Sequence, residues 1–288
     1  MSKSFFGFVK TYKLSKNLTN YLIELVTPFI EPPKRSSALS VQDKVLITLQ
    51  FFGTGSYQLF TCNSRYSAAC QSSVSRNISE VTNALNQPTI LNSWVKFPKN
   101  IDEYKQVTKR FYMKTGFPGV CGCIDCTRIA IVAPSGNLGA ENNYPEHIYV
   151  NRKNYHSINT QLISVANLKI LRVNALYLGS THDSHIWNNC NVLPIVQELS
   201  RRNQCFYLLG DSGYALRPWL LIPIQNPVNE EELYNTKQMR ARSLIERCNG
   251  LLKMRFRCLL IHRVLHYAPE KATAIINACV VLHNMYIT

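Results

Sequence analysis

The chain has 288 residues, enough to bury one large core or two ordinary ones, and its hydrophobic content is that of a globular protein. Its 32 Lys and Arg against 17 Asp and Glu leave a net charge of +15, which favours a polyanionic partner, nucleic acid first. No apolar run is long enough to cross a bilayer, and no basic amphipathic helix carries a Trp/Phe-rich face, so a membrane role is not expected.

The N-terminus, MSKSFFGFVKTYKLSKN, has no apolar stretch followed by small residues and does not read as a secretory signal. The ten cysteines therefore read as reduced thiols of a cytosolic or nuclear protein. Residues 1–36 form a loosely packed lead-in with an apolar helical stretch at 21–30, stopped by Pro32 and Pro33. Residues 37–97 read as helices. Ser40 is an N-cap for VQDKVLITLQFF. YSAACQSSVSRNISEVTNALNQP then predicts a short helix, a turn near Cys70 and a longer helix over 73–85, an arrangement like a helix-turn-helix. Val74, Ile78, Val81 and Leu85 would form its buried stripe, and Gln71, Ser72, Ser75 and Arg76 would point outward, Ser75 and Arg76 toward DNA. Many small helical bundles show the same pattern without touching DNA. Residues 98–119 are a linker helix ending in TGFPGV.

From Val120 the pattern turns extended. VCGCIDCTRIAIVAP predicts a first strand; HSINTQLISVAN and LKILRVNALYLG predict a hairpin turning at Asn167 and Leu168. SHIWNNCNVLPIVQELSRR reads as one helix, QCFYLLGD as a fourth strand, and RSLIERCNGLLKMRFRCLL and PEKATAIINACVVLHNMYI as two long helices. Three antiparallel strands, a crossover helix and a strand returning beside the first make an α/β fold: a ribonuclease-H-like mixed sheet flanked by helices over 120–288, preceded by the helical region.

In that ordering the first and fourth strands run parallel and adjacent, so Asp125 and Asp211 share one edge of the sheet. Two uncompensated carboxylates repel, and a hard divalent cation, Mg²⁺ or Mn²⁺, relieves them. Glu246, on the helix packed over that edge, is the expected third ligand. Asn249 or Gly250, then Lys253 and Arg257, would continue its face, the last two as phosphate clamps, with Arg247 and Arg255 thickening the basic surface. Two ions about 4 Å apart would activate a water or a 3′-hydroxyl for in-line displacement. Gly210 and Gly213 would leave room for the ions and a phosphate backbone. Alternatively Asp211 only makes a turn with its own backbone, as Asp before Gly often does. Asp183, two strands from the first and roughly 10 Å away, is a weaker ligand. It also suits the start of the following helix. Arg152 and Lys153, in YVNRKNYHSINTQ, lie on a basic loop that is either solvated or facing DNA. Cys121, Cys123 and Cys126 have the spacing of a metal knuckle, but in a strand they read as packed thiols.

GCIDCTRIAIVAP, VNRKNYHSINTQ, GSTHDSHIW, LLGDSGYAL, LIERCNGLLKMRFRCL and PEKATAIINACVVLHNM, in that order, resemble the PIF/Harbinger superfamily of DDE transposases. The nearest resemblance is to its domesticated Harbinger transposase-derived nucleases. The resemblance implies a ribonuclease-H-like core, a divalent metal cofactor, DNA strand cleavage and action in the nucleus; a two-metal DDE mechanism and presence in the cytoplasm as well are expected beside it. It carries the catalytic and metal-binding roles onto Asp125, Asp211 and Glu246, and matches Asp183 to a further recurrent aspartate. It also implies a Myb-like DNA-binding partner and, by analogy, a homodimer. Where many active members read Asp-Gly-Thr-His, this chain has Asp125-Cys126-Thr127-Arg128, which fits the domesticated branch. The sequence ends with LHNMYIT, and against the resemblance the expectation is a truncated copy that lacks the relatives' C-terminal tail. The competing expectation is a domesticated protein that binds DNA or recruits a partner without cutting.

Overall fold

A computed structural model describes the chain except residues 1, 34, 36–37, 57–69 and 135–144 and the side chains of 2–6. Ten helices and five strands are found among the described residues: α1 (Ser2–Tyr12), α2 (Lys16–Val26), α3 (Val41–Thr54), α4 (Gln71–Leu85), α5 (Pro88–Trp94), α6 (Ile101–Thr115), β1 (Val120–Ala130), β2 (Ser157–Ser164), β3 (Ile170–Leu178), α7 (Asp183–Asn188), α8 (Leu193–Arg201), β4 (Tyr207–Leu209), β5 (Leu220–Leu221), α9 (Glu230–Arg255) and α10 (Pro269–Ile287).

The helix ends follow local chemistry. Ser40 caps α3 in a capping box with Asp43, and Gly55 closes it in the left-handed region at φ 62°. Asn100 caps α6, and Gly116, at φ 71°, ends it. In α4 the stripe Val74, Ile78, Val81 and Leu85 is fully buried, each side chain worth about 1.5–3 kcal/mol of burial. The short helix expected before it falls in 57–69, outside the described residues. The lead-in departs from expectation. Leu14, Leu22 and Val26 are completely buried in one apolar core with α3, α4, α9 and α10. Its apolar positions found a partner face that the sequence does not display.

The helical region is joined to the sheet domain through α10. Asn86 Nδ2 donates to the Ala274 carbonyl at 2.8 Å, and Asn277 Nδ2 donates to Asn86 Oδ1 at 3.1 Å. α6, expected as a linker, packs Tyr104 and Phe111 into the interior, with Tyr104 stacked on Phe206 at 5.1 Å.

The sheet order is β3-β2-β1-β4-β5. β1–β2 and β2–β3 are antiparallel, while β1–β4 and β4–β5 are parallel. This is the expected ordering with one addition: β5 is only two residues, too short for periodicity to register. Two helices also differ from expectation. The crossover helix is broken into α7 and α8, because Pro194 has no N–H and is accommodated only in a first turn. α9 starts at Glu230, with Glu230, Glu231 and Glu232 favouring the positive end of the helix dipole, and it stops at Phe256.

One sheet face carries α9 and α10, the other α6, α7 and α8. A register shift between Val120 and Gly122 opposite β4 re-phases β1. Cys121 therefore packs in the smaller core and Cys123 in the larger.

Candidate active site

β1 is flanked on both sides, and Asp125 sits mid-strand opposite Leu162. On the β4 side Cys123 pairs with Leu209, so two residues further along each chain bring Asp125 beside Asp211. Alternation sends Cys123 and Asp125 to the same face. That face is covered by α9: the Cys123 thiol donates to the Ala241 carbonyl at 3.5 Å.

The Asp125 carboxyl is raised to about 6. Burial is the main cause, and Asp211 and Asp183 push the same way; Arg242 and the Cys126 N–H pull it down. Asn249 Nδ2 donates to Asp125 Oδ2 at 2.9 Å. The other end of that amide, Asn249 Oδ1, is buried without a hydrogen-bond partner.

Asp211 makes the turn offered as the alternative, and it also lies beside Asp125. Its Oδ1 accepts the Gly213 N–H at 3.0 Å, an Asx turn, and its charge still acts on Asp125. The glycines serve a different purpose from the one expected. A Cβ on Gly210 would stand 2.9 Å from the Tyr214 ring, and one on Gly213 would stand 3.1 Å from Asp211 Oδ1. They make room for the protein's own turn rather than for a ligand. Tyr214 is buried with its hydroxyl 3.5 Å from Cys126 Sγ, and Gln238 Nε2 holds the Gly210 carbonyl at 2.8 Å. The Asp211 turn is thereby fixed to both β1 and α9.

On α9, Arg242, Glu246, Asn249 and Lys253 form one stripe at steps of four, three and four residues. Glu246 lies in that stripe, but its carboxylate accepts from Arg242 Nη2 and its side chain is 55% exposed. The α9 side chain that touches Asp125 is Asn249. Lys253 is turned inward: its Nζ donates to the Arg128 carbonyl at 2.9 Å. Its pKa falls to about 8, through burial first and then Lys153 and Arg128, with Asp125 opposing. It is therefore not an outward phosphate clamp. Arg255 is buried, not surface-thickening, because it stacks on Tyr286 at 3.8 Å. Arg247, Arg257, Arg152, Lys153 and Arg76 are exposed, and Ser75 is half-buried. Lys153 lies close enough to Lys253 to lower it, which brings the basic loop beside the α9 stripe.

Asp183 begins α7. Its Oδ1 accepts from Arg128 Nη1 at 3.1 Å and from Asn159 Nδ2 at 2.8 Å. It lies within electrostatic reach of Asp125, yet its charge already has partners.

No group of three His, Cys, Asp or Glu side chains able to hold a metal is found among the described residues. Cys121 and Cys123 are buried in different cores, so the packed-thiol reading holds. The donors that do gather are hard oxygens: Asp125, Asp211 and the unpartnered Asn249 Oδ1. That set fits Mg²⁺ or Mn²⁺ rather than a thiophilic metal. The sequence-derived site lacked Arg242, and it left the next position on the Glu246 face open between Asn249 and Gly250 without giving Asn249 a role at the carboxylates. The signal for both was the spacing of polar residues along α9, which an apolar-stripe reading fixes only to within a residue or two.

The family described as DDE superfamily endonuclease matches residues 124–284. The chain is 31% identical to "Putative nuclease HARBI1" of Xenopus laevis over 96% of its own length and 77% of the relative. It is 32% identical to the Homo sapiens protein of the same name over 95% and 75%. "Protein ALP1-like" of Arabidopsis thaliana is 26% identical over 97% and 70%. No solved structure gives a significant match.

Proposed function

The chain belongs to the DDE superfamily endonucleases, and from that premise we propose that it is a DNA endonuclease of transposase descent, dependent on Mg²⁺ or Mn²⁺. One observation carries the reading. A partly buried carboxylate raised to about 6 stands beside a second carboxylate, under an amide oxygen that has no partner. Such an arrangement is costly for the protein alone and is relieved by a hard cation.

In this reading Asp125 and Asp211 would hold the cation, with the unpartnered Asn249 Oδ1 as a further donor. A divalent ion held there would supply Lewis acidity for attack on the scissile phosphate. Tyr214 and Gln238 keep the Asp211 turn at its height above β1. Glu246 completes the acidic set by leaving Arg242, and the freed guanidinium is then available to a phosphate oxygen. Lys253 pins β1 through the Arg128 carbonyl. Arg128 in turn holds Asp183, which acts as a positioning residue. Arg152, Lys153, Arg247 and Arg257 take the DNA backbone, and α4 with Ser75 and Arg76 extends the contact. The proposed site of action is the nucleus, with a cytoplasmic pool; a Myb-like DNA-binding partner and a homodimeric active form rest on the resemblance alone.

The test is cleavage of labelled duplex DNA by purified protein with Mg²⁺, Mn²⁺ or chelator, beside an Asp211→Ala variant that still binds DNA. Cutting that needs the ion and is lost in the variant supports the reading; equal cutting by both variants, or cutting in chelator, overturns it. The second reading is a DNA binder without chemistry. It is favoured by the Glu246–Arg242 pair, and it predicts equal DNA binding with and without the ion and no cutting by either protein.

A further inference from the structure

A groove lies on the other face of the sheet. Asp125, Leu162 and Val173 are in register across β1, β2 and β3. Arg172, one residue before Val173, therefore faces away from the carboxylates. There, a cavity of about 480 Å³ is formed by the α5–α6 connection, the start of β3 and the α7–α8 connection. Through Asn92, Val95 and Arg172 it runs on into a second hollow of about 180 Å³. Its floor is apolar, with Val95, Phe97, Leu171 and Val192, and Ile195 is exposed at its rim.

Its charge is unbalanced. Lys96, Lys99 and Arg172 line it, and no Asp or Glu does. Among the described residues none of the three forms an ion pair with a carboxylate, and Arg172 Nε is buried without a hydrogen-bond partner. Lys169, beside it, has its pKa lowered by burial and by Lys96. Glu103, at the start of α6, is engaged with the Lys99 N–H and Asn100.

The complementary surface is on the same chain. Residues 230–232 are its only run of three acidic residues, in a sequence with 17 acids and 32 bases. They open α9, beside exposed Val228 (62%) and Leu233 (57%). That helix start is tied to the β5 side: Asn235 Nδ2 donates to the Ile224 carbonyl at 2.8 Å, and the Tyr234 hydroxyl to the Ile222 carbonyl at 3.0 Å. β3 and β5 are the opposite edges of the sheet, so groove and acidic turn cannot meet within one chain. We propose that the groove at Lys96, Lys99 and Arg172 receives the acidic start of α9, residues 228–233, from a second copy of this chain. Carboxylates meet the cations, and Val228 and Leu233 cover the apolar floor. The contact is heterologous, joining unlike surfaces of two copies.

The experiment is sedimentation of the full chain with charge reversals. Wild type self-associates, more tightly at low salt. Lys96→Glu with Lys99→Glu weakens association about tenfold or more, and so does Glu230→Lys with Glu232→Lys. All four together restore it. Glu231 is left alone because it accepts the Val228 N–H. Lys105→Glu with Lys109→Glu, on exposed α6 positions, leaves association within about twofold and controls for net charge. Melting of each variant shows that it folds. A labelled peptide copying residues 227–236 binds wild type and not the groove variant. A monomeric wild type that also ignores the peptide overturns the proposal. So does unchanged association in the groove variant, failure of the fourfold variant to recover, or a groove reversal that weakens only DNA binding.

Discussion

Two buried polar clusters flank the same helix and are built in opposite ways. Around α10, His283 Nδ1 accepts from Arg255 Nη1 at 2.9 Å, and His283 Nε2 donates to the Leu168 carbonyl at 2.9 Å. Asn284 takes the Ile170 N–H at 2.8 Å and gives its own N–H groups to the Ile170 and Trp94 carbonyls at 2.7 and 2.8 Å. Arg255 lies over the Tyr286 ring. Those side chains close on one another. They hold the β2–β3 turn, where Leu168 adopts a left-handed φ of 68°, and Asn284 bonds both backbone groups of Ile170 on the outer strand β3. Around Asp125 the cluster stays open: a carboxyl raised by burial, a second carboxylate nearby, and an amide oxygen with nothing to accept. α9 contributes to both, Arg255 to the closed cluster and Asn249 to the open one. A completed polar network fixes a fold, whereas an incomplete one held rigid is a place for a ligand.

The largest expected effect breaks the open cluster. Asp125→Ala or Asp211→Ala lowers DNA cleavage by about 10³-fold or more, roughly 4 kcal/mol of transition-state stabilisation, while duplex binding stays within about threefold. Single-turnover cleavage and gel-shift titration on the same preparations check it, and retained cutting would remove the aspartate from the chemistry. Breaking the closed cluster acts on stability instead. Asn284→Ala leaves the buried N–H and carbonyl of Ile170 and the part-buried Trp94 carbonyl without their partner and costs roughly 3 kcal/mol in urea unfolding. A loss below about 1 kcal/mol would mean that the network contributes little.

Acid probes the same contrast. His283 is held neutral, its pKa lowered to about 4 mainly by burial and further by Arg255, with the Leu168 carbonyl opposing. Above an unfolded value of about 6.5 both states are neutral and nothing is lost. As pH falls below it, the unfolded chain takes a proton that the folded chain refuses, so stability drops until about 4. The full loss is roughly 3 kcal/mol. In His283→Gln this segment of the stability–pH curve flattens; an unchanged curve would assign the acid sensitivity elsewhere.

The smallest effect is the most diagnostic. Asp125→Asn removes a charge that burial makes costly and leaves an acceptor for Asn249, so the apo protein gains about 1 kcal/mol. Mg²⁺ or Mn²⁺ raises the melting temperature of wild type, as any ligand of the native state does, but not of this variant. Equal metal shifts in both proteins would place the ion somewhere else.

Much of this was legible in the chain. Asp125 and Asp211 came together because strand order and parallel register follow from hydrophobic runs and their connections. α10 spans the residues its apolar run predicts, with Pro269 in its first turn. What stayed hidden depends on distance in space. Glu246 was expected at the ions, but an arginine one turn away claims its carboxylate. Lys253 and Arg255 read as surface charge, yet a strand carbonyl and an aromatic ring captured them. The lead-in looked loose because its partner faces lie on helices far along the chain.

Local periodicity, Gly and Pro punctuation and the short reach of connections were thus enough for the main helices, the order β3-β2-β1-β4 and the pairing of two aspartates, but not for the two-residue β5 or the break between α7 and α8. The rotation of α9 over β1 emerges only in three dimensions, and with it come the contact of Asn249 with Asp125 and the pairing of Glu246 with Arg242. A helix places neighbouring polar residues within a few ångströms of one another, and which of them meets a given carboxylate is settled by packing on the far side of the helix.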